Sequence, residues 1–215
     1  MQHVIVLEIS LKQSELFRCL GYKNNMKPSP EISYMLHNLL DSISNQFKVF
    51  ATYKIINKFQ LIDNQKIITQ FGEIKSQVIS SLAKQAKNLL IGLVTVHEIF
   101  NNRDQNDLLF DYLEYGVGIG VVEKGIDSLL SKIEKEVGLY ASLPFSPGYC
   151  DWDMEGQQFI FNALDPSVIK VKLLPKSLRM IPIHTISFIS ILGIKKSDRN
   201  PCKYCTVKNC MVKRS

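Results

Sequence analysis

Ser146-Pro147-Gly148-Tyr149-Cys150-Asp151-Trp152, with Gln157 and Phe161 shortly after, is the stretch on which the reading of this chain turns. Pro fixes φ ahead of a turn and Gly permits positive φ, so the backbone N–H and C=O groups here can be turned outward. Tyr149 and Trp152 supply flat surfaces. Physical chemistry leaves two readings open: a tight turn above two core aromatics, or a corner that meets a planar ligand. On one side Leu139 to Phe145 reads as a strand entering the turn; on the other, Gln157 to Leu164 reads as a helix.

Working outward, His3–Ile9 has the alternation of a short strand, and Ser14–Leu20 is a helical turn stopped by Gly21. Pro28-Ser29-Pro30-Glu31 opens a helix at Ser29 or Pro30, with Ile32, Met35, Leu36, Leu39, Leu40 and Ile43 on one face. Phe47–Phe59 alternates and is rich in β-formers, and Ile67-Ile68 begins another short strand. A helical period spans Glu73–Asn88, and Leu89–Val96 suits a buried strand. Asp107–Val137 is the longest helix and ends at Gly138. Val168–Leu174 and Ile181–Leu192 read as strands, and everything after Gly193 as loop or tail. Strands and helices mix without strict alternation. The expectation is an α+β fold: mixed helices and a twisted, largely antiparallel sheet. Residues 1–69 form a small N-terminal lobe in this reading, 70–192 the main region carrying the turn, and 193–215 a cysteine-rich tail.

Composition bounds the function. The chain has 215 residues, 46% hydrophobic and 21% charged, which is a globular rather than a disordered balance. Net charge is +6, but the Lys and Arg residues come in ones and twos without a ladder of aromatics. A nucleic-acid partner is therefore not expected. No run reaches the ~18 apolar residues of a membrane span. Met1–Ser10 lacks the basic start and small-residue cleavage site of a signal peptide, so a cytoplasmic location is expected. Five cysteines are an odd number for a disulfide framework and read as thiols or ligands.

Cys202-x-x-Cys205-x-x-x-x-Cys210 lies on a tail with little apolar content. Three thiols so spaced either hold zinc or an iron–sulfur cluster, which would order the tail by coordination, or stay reduced surface thiols. Cys150, in the turn, supplies the fourth ligand in the first case. Cys19 reads as core. Other signals fail. His97-Glu98 lacks a second His because position 101 is Asn. Gly116-x-Gly118-x-Gly120 has its third Gly one residue early for a dinucleotide loop and reads as close helix packing. His37 and His184 stand alone. No nucleophile elbow or paired carboxylates stand out.

Pro147-Gly148-Tyr149, an aromatic three residues on, a Gln-bearing helix, Lys172-Leu173, and Met180-Ile181-Pro182 followed by Ser187 resemble the activation (reactivation) domain of cobalamin-dependent methionine synthase. Leu20-Gly21-Tyr22 and the helix Tyr115–Ile126, with Gly116 and Gly120 before Glu123, are similar to the short free-standing members of that family. The resemblance runs in order over nearly the whole chain. It implies an accessory subunit that binds S-adenosylmethionine at the Pro147-Gly148-Tyr149 loop, with Tyr149 and Trp152 toward the adenine and Glu123 near the methionyl amine. Cobalamin would be carried by a partner, a corrinoid-binding methyltransferase subunit, with flavodoxin or another electron donor. The chain has Pro144 where the family usually places an Arg, and Asp153 where relatives commonly have Pro. A second reading is a non-catalytic corrinoid-protein-binding or redox module with a cysteine-ligated metal and no adenosylmethionine.

Overall fold

Apolar side chains alternate to both sides of Ala86–Val96 and of Thr185–Gly193, which puts these two strands between layers. The computed structural model describes residues 1–22, 26–42, 47–97 and 107–195. In chain order the elements begin with β1 (Gln2–Ile9), α1 (Gln13–Cys19), α2 (Pro30–Ser42), β2 (Phe47–Ile56) and β3 (Gln60–Ile62). Next come β4 (Lys66–Thr69), β5 (Gly72–Lys75), α3 (Gln77–Ala83), β6 (Ala86–Val96), α4 (Leu108–Val137) and β7 (Tyr140–Ala141). The chain continues through α5 (Gly156–Ala163), a 3-10 turn at Pro166–Ile169, β8 (Lys172–Leu173), β9 (Met180–Ile181) and β10 (Thr185–Gly193).

Five strands form one sheet in the order β1-β2-β6-β10-β7, and every neighbouring pair is antiparallel. The α+β architecture is thus the one expected. A three-stranded meander β3-β4-β5 and the β8–β9 hairpin are separate. On one face of the five-stranded sheet, Leu16 of α1, Leu36 of α2 and Val117, Val121 and Leu129 of α4 pack on Val49, Ala51, Leu90, Val94 and Phe188. On the other face Ile67, Ile74, Ile79, Phe159 and Ile160 cover Leu89, Ile91, Leu93, Ile189 and Ile191. Each fully buried aliphatic side chain contributes roughly 1.5–3 kcal/mol, so the sheet's period-2 pattern sets most of the stability.

The longest helix keeps its expected ends. Asp107 accepts from the N–H groups of Leu109 (2.9 Å) and Phe110 (3.2 Å), and Gly138 closes α4 in the left-handed region. Elsewhere periodicity misled. The expected helix over Glu73–Asn88 is β5, a seven-residue α3 and the start of β6. Ser76 accepts from Ile79 N–H and starts the helix there, while Ile74 pairs with Ile67 across a strand ladder. The expected strand over Ile181–Leu192 is broken by a bend at Pro182–His184, and that over Val168–Leu174 begins as the 3-10 turn. Of Leu139–Phe145 only β7 and a single bridge from Phe145 to Ile189 join the sheet. The strands of residues 1–69 and of 70–192 pair directly, β2 with β6. The part of the tail from position 196 onward lies outside the described residues.

Candidate functional site

The turn is built from the sheet edge upward. Phe145 exchanges both backbone hydrogen bonds with Ile189 at 2.8 Å, and the chain then leaves the sheet. Tyr149 N–H donates to Ser146 O (3.1 Å), with Gly148 at φ 88. Only glycine takes that φ without strain. Cys150 at φ 55 reverses the chain again, and Gly148 N–H donates to Trp152 O at 2.7 Å. Two successive reversals throw Tyr149 outward, where it is 69% exposed.

Asp151 anchors the corner. Its carboxylate accepts from Ser76 Oγ (2.5 Å), from Gln77 N–H and from Val78 N–H (3.3 Å), the open donors at the start of α3. Trp152 is 3% exposed and sits in the core layer with Phe159, Ile160 and Leu164. It underpins the turn from below, while the outward aromatic is Tyr149. Pro147 is buried and Cys150 half-buried. Gln157, 4% exposed, accepts from Ser187 Oγ at 2.7 Å. Two positions of the sequence resemblance, 30 residues apart, therefore meet and tie α5 to β10.

Glu123 stands elsewhere. It projects from α4 toward α1, where its carboxylate is paired with the Arg18 guanidinium, and Cys19 Sγ lies 4.0 Å away. The hydrogen bond that Arg18 donates to the Glu123 carboxylate raises the Arg18 pKa above its usual value. Helix α4 and Trp152 belong to the core layers on opposite faces of the sheet, so the Glu123 carboxylate is not brought beside Trp152. The sequence reading gave Asp151 no role. Its partners lie about 75 positions away, and no local pattern announces such a contact.

Of the expected metal ligands, Cys202, Cys205 and Cys210 lie outside the described residues. Among the described residues no group of three or more His, Cys, Asp and Glu is gathered as a metal site. No helix among them is long and apolar enough to cross a membrane.

These features define a class: an α+β domain with an antiparallel sheet clad by helices, whose strand-to-helix corner lifts one tyrosine into solvent. No family model matches the chain. Among solved structures it is similar to one described as the MetH reactivation domain bound to AdoHcy, with a TM-score of 0.53. That likeness covers 91% of this chain and 80% of the other at 12% sequence identity, and it is a likeness of fold.

Proposed function

We propose that this protein binds S-adenosylmethionine, or its demethylated product S-adenosylhomocysteine, at the Pro147-Gly148-Tyr149 turn. In this reading it serves as a reactivation subunit for a corrinoid-dependent methyltransferase such as methionine synthase. The observation that carries it is the exposed Tyr149 ring on a corner fixed from two sides, by the Asp151 carboxylate and by the buried Trp152. Two further facts support it: the fold is shared with a domain described as bound to AdoHcy, and the paired Gln157 and Ser187 stand at resemblance positions. Tyr149 lies along the adenine, while the N–H groups of Gly148 and Tyr149 are taken up within the turn by Trp152 O and Ser146 O and hold the ring in place. Glu123, paired with Arg18 in the helix layer across the sheet, takes no part in this site. Pro144 offers no charge to the ligand carboxylate, so affinity is modest. When bound, the sulfonium supplies the methyl group for a corrinoid on the partner, and this chain supplies position. Flavodoxin or a similar protein supplies the electron.

Calorimetric titration with S-adenosylmethionine and S-adenosylhomocysteine, alone and with a cob(II)alamin-loaded partner, tests this. Tyr149→Ala should weaken binding by about 1–2 kcal/mol, roughly 5–30-fold in Kd, with the fold unchanged. Affinity untouched by that change removes Tyr149 from the site. The absence of any saturable binding sinks the reading. In that case zinc or iron found in anaerobically prepared protein, held by Cys150, Cys202, Cys205 and Cys210, would favour the redox-module reading instead.

A further inference from the structure

Strand β1 is an edge of the five-stranded sheet among the described residues, and it carries none of the devices that protect an edge. Such edges are normally shortened, bulged, or guarded by Lys or Pro, because their free N–H and C=O groups template pairing with another strand. Here Gln-His-Val-Ile-Val-Leu-Glu-Ile runs eight residues without Lys, Pro or Gly, in unbroken register with β2 from Gln2↔Lys54 to Ile9↔Phe47. Its single formal charge is Glu8, which is in register with Lys48 of β2. On the face away from α4, Val4 is 53% and Val6 50% exposed.

We propose that β1 is the pairing edge of a homodimer, in which two copies join antiparallel about a twofold axis perpendicular to the sheet. Such an axis keeps each sheet face on its own side, so only residues of like parity meet. The register that sets residue i opposite 10 − i places Val4 against Val6, Ile5 against Ile5, His3 against Leu7 and Gln2 against Glu8. Four valines then gather on the open face, and no like charges face each other. A shift of two residues sets either Glu8 against Val4 or Gln2 against Val6 and breaks up the valine cluster, whereas His3 meets an apolar residue in all three registers and does not distinguish them. The sequence is thus complementary to its own reversal in one register, which favours a second copy over an unrelated strand. Two five-stranded sheets would join into one of ten strands.

Light scattering and sedimentation of the full chain over a range of concentrations should show mass rising from one chain toward two. The double variant Val4→Lys, Val6→Lys places four ammonium groups together across the axis and should stay at one chain mass throughout, with an unchanged circular-dichroism spectrum. Hydrogen exchange of the wild type gives a reading that no variant can spoil: alternate β1 amides, those pointing away from β2, should gain protection as concentration rises. Wild type at one chain mass at its highest soluble concentration overturns the proposal, as does a dimer that survives in the folded lysine variant. Outward amides protected equally at all concentrations would mean that the edge is covered within one chain, which also overturns it.

Discussion

Asp151 accepts from Ser76 Oγ and from the N–H groups of Gln77 and Val78, so one carboxylate on the corner completes the start of a helix far away in sequence. A negative group at a helix start gains from both the free donors and the dipole. Asp151→Ala should cost about 1–2 kcal/mol, the scale of a lost cap, read as a lower urea midpoint. Tyr149→Ala should leave that midpoint in place, because the ring is mostly in solvent and covers little apolar surface. A midpoint unmoved by Asp151→Ala would mean that water replaces the carboxylate and that the corner holds itself. At this scale the sequence was legible where a residue acts on its own neighbours. Gly148 and Tyr149 are such residues, since turn chemistry is local. Trp152 was ambiguous between core and ligand surface, and only the packing of α5 over it decides for core. Asp151 was illegible because its meaning lies in Ser76.

Among the elements, the seam between α1 and α4 shows why the glycines of Tyr115–Ile126 are there. A Cβ at Gly116 would lie 2.3 Å from Leu20 Cδ2, and one at Gly120 would lie 2.4 Å from Leu16 Cδ2. Gly116 and Gly120 therefore form a packing groove for α1, while Gly118 lies against His184 and Gly125 against Val49, in keeping with the run's failed dinucleotide spacing. The rims of the seam are charged: Glu15 with Lys124 at 2.7 Å, and Arg18 with Glu123. Gly120→Ala gains about 1 kcal/mol in helix propensity, but forces the buried Leu16 aside at an overpacking cost of about 1–3 kcal/mol. The net expectation is a loss of up to about 2 kcal/mol, measured by denaturant unfolding, with faster hydrogen exchange in α1. A more stable variant would show that the seam has slack. Long elements with both ends marked, α4 above all, were legible because Asp107 and Gly138 bracket one continuous period. Short ones were not. In Glu73–Asn88 three apolar patterns abut without punctuation, and the boundary at Ser76 is drawn by a cap and by the partner strand β4.

At the scale of the molecule, the carboxyl groups with shifted titration among the described residues all move the same way. Glu15 is held below its ordinary value first by the Lys12 backbone N–H and then by Lys124; Glu73 by Lys75; Asp165 by Ser167. A carboxyl that releases its proton more readily in the folded state favours folding wherever it is ionised in both states, above the unfolded pKa of about 4. That contribution fades as pH falls through the lower folded value, when protonation removes the bonds that lowered it. Arg18, Lys75 and Lys132 are raised by their acidic partners, so their contribution is lost only as pH climbs past the ordinary lysine and arginine range. Stability should therefore be level through neutrality and decline below about pH 4.5. The decline should be modest, since these groups are largely solvated and screened. Glu15 is the informative member because it spans α1 and α4. Glu15→Gln should lower the urea midpoint at pH 7 and converge with wild type in strong acid, once pH has fallen below the lowered folded value and Glu15 is neutral like Gln. It should also flatten part of the slope between. A constant gap between the two proteins at both pH values would mean that Glu15 acts through its shape and the Lys12 N–H bond, and that its charge contributes nothing to holding α1 in place.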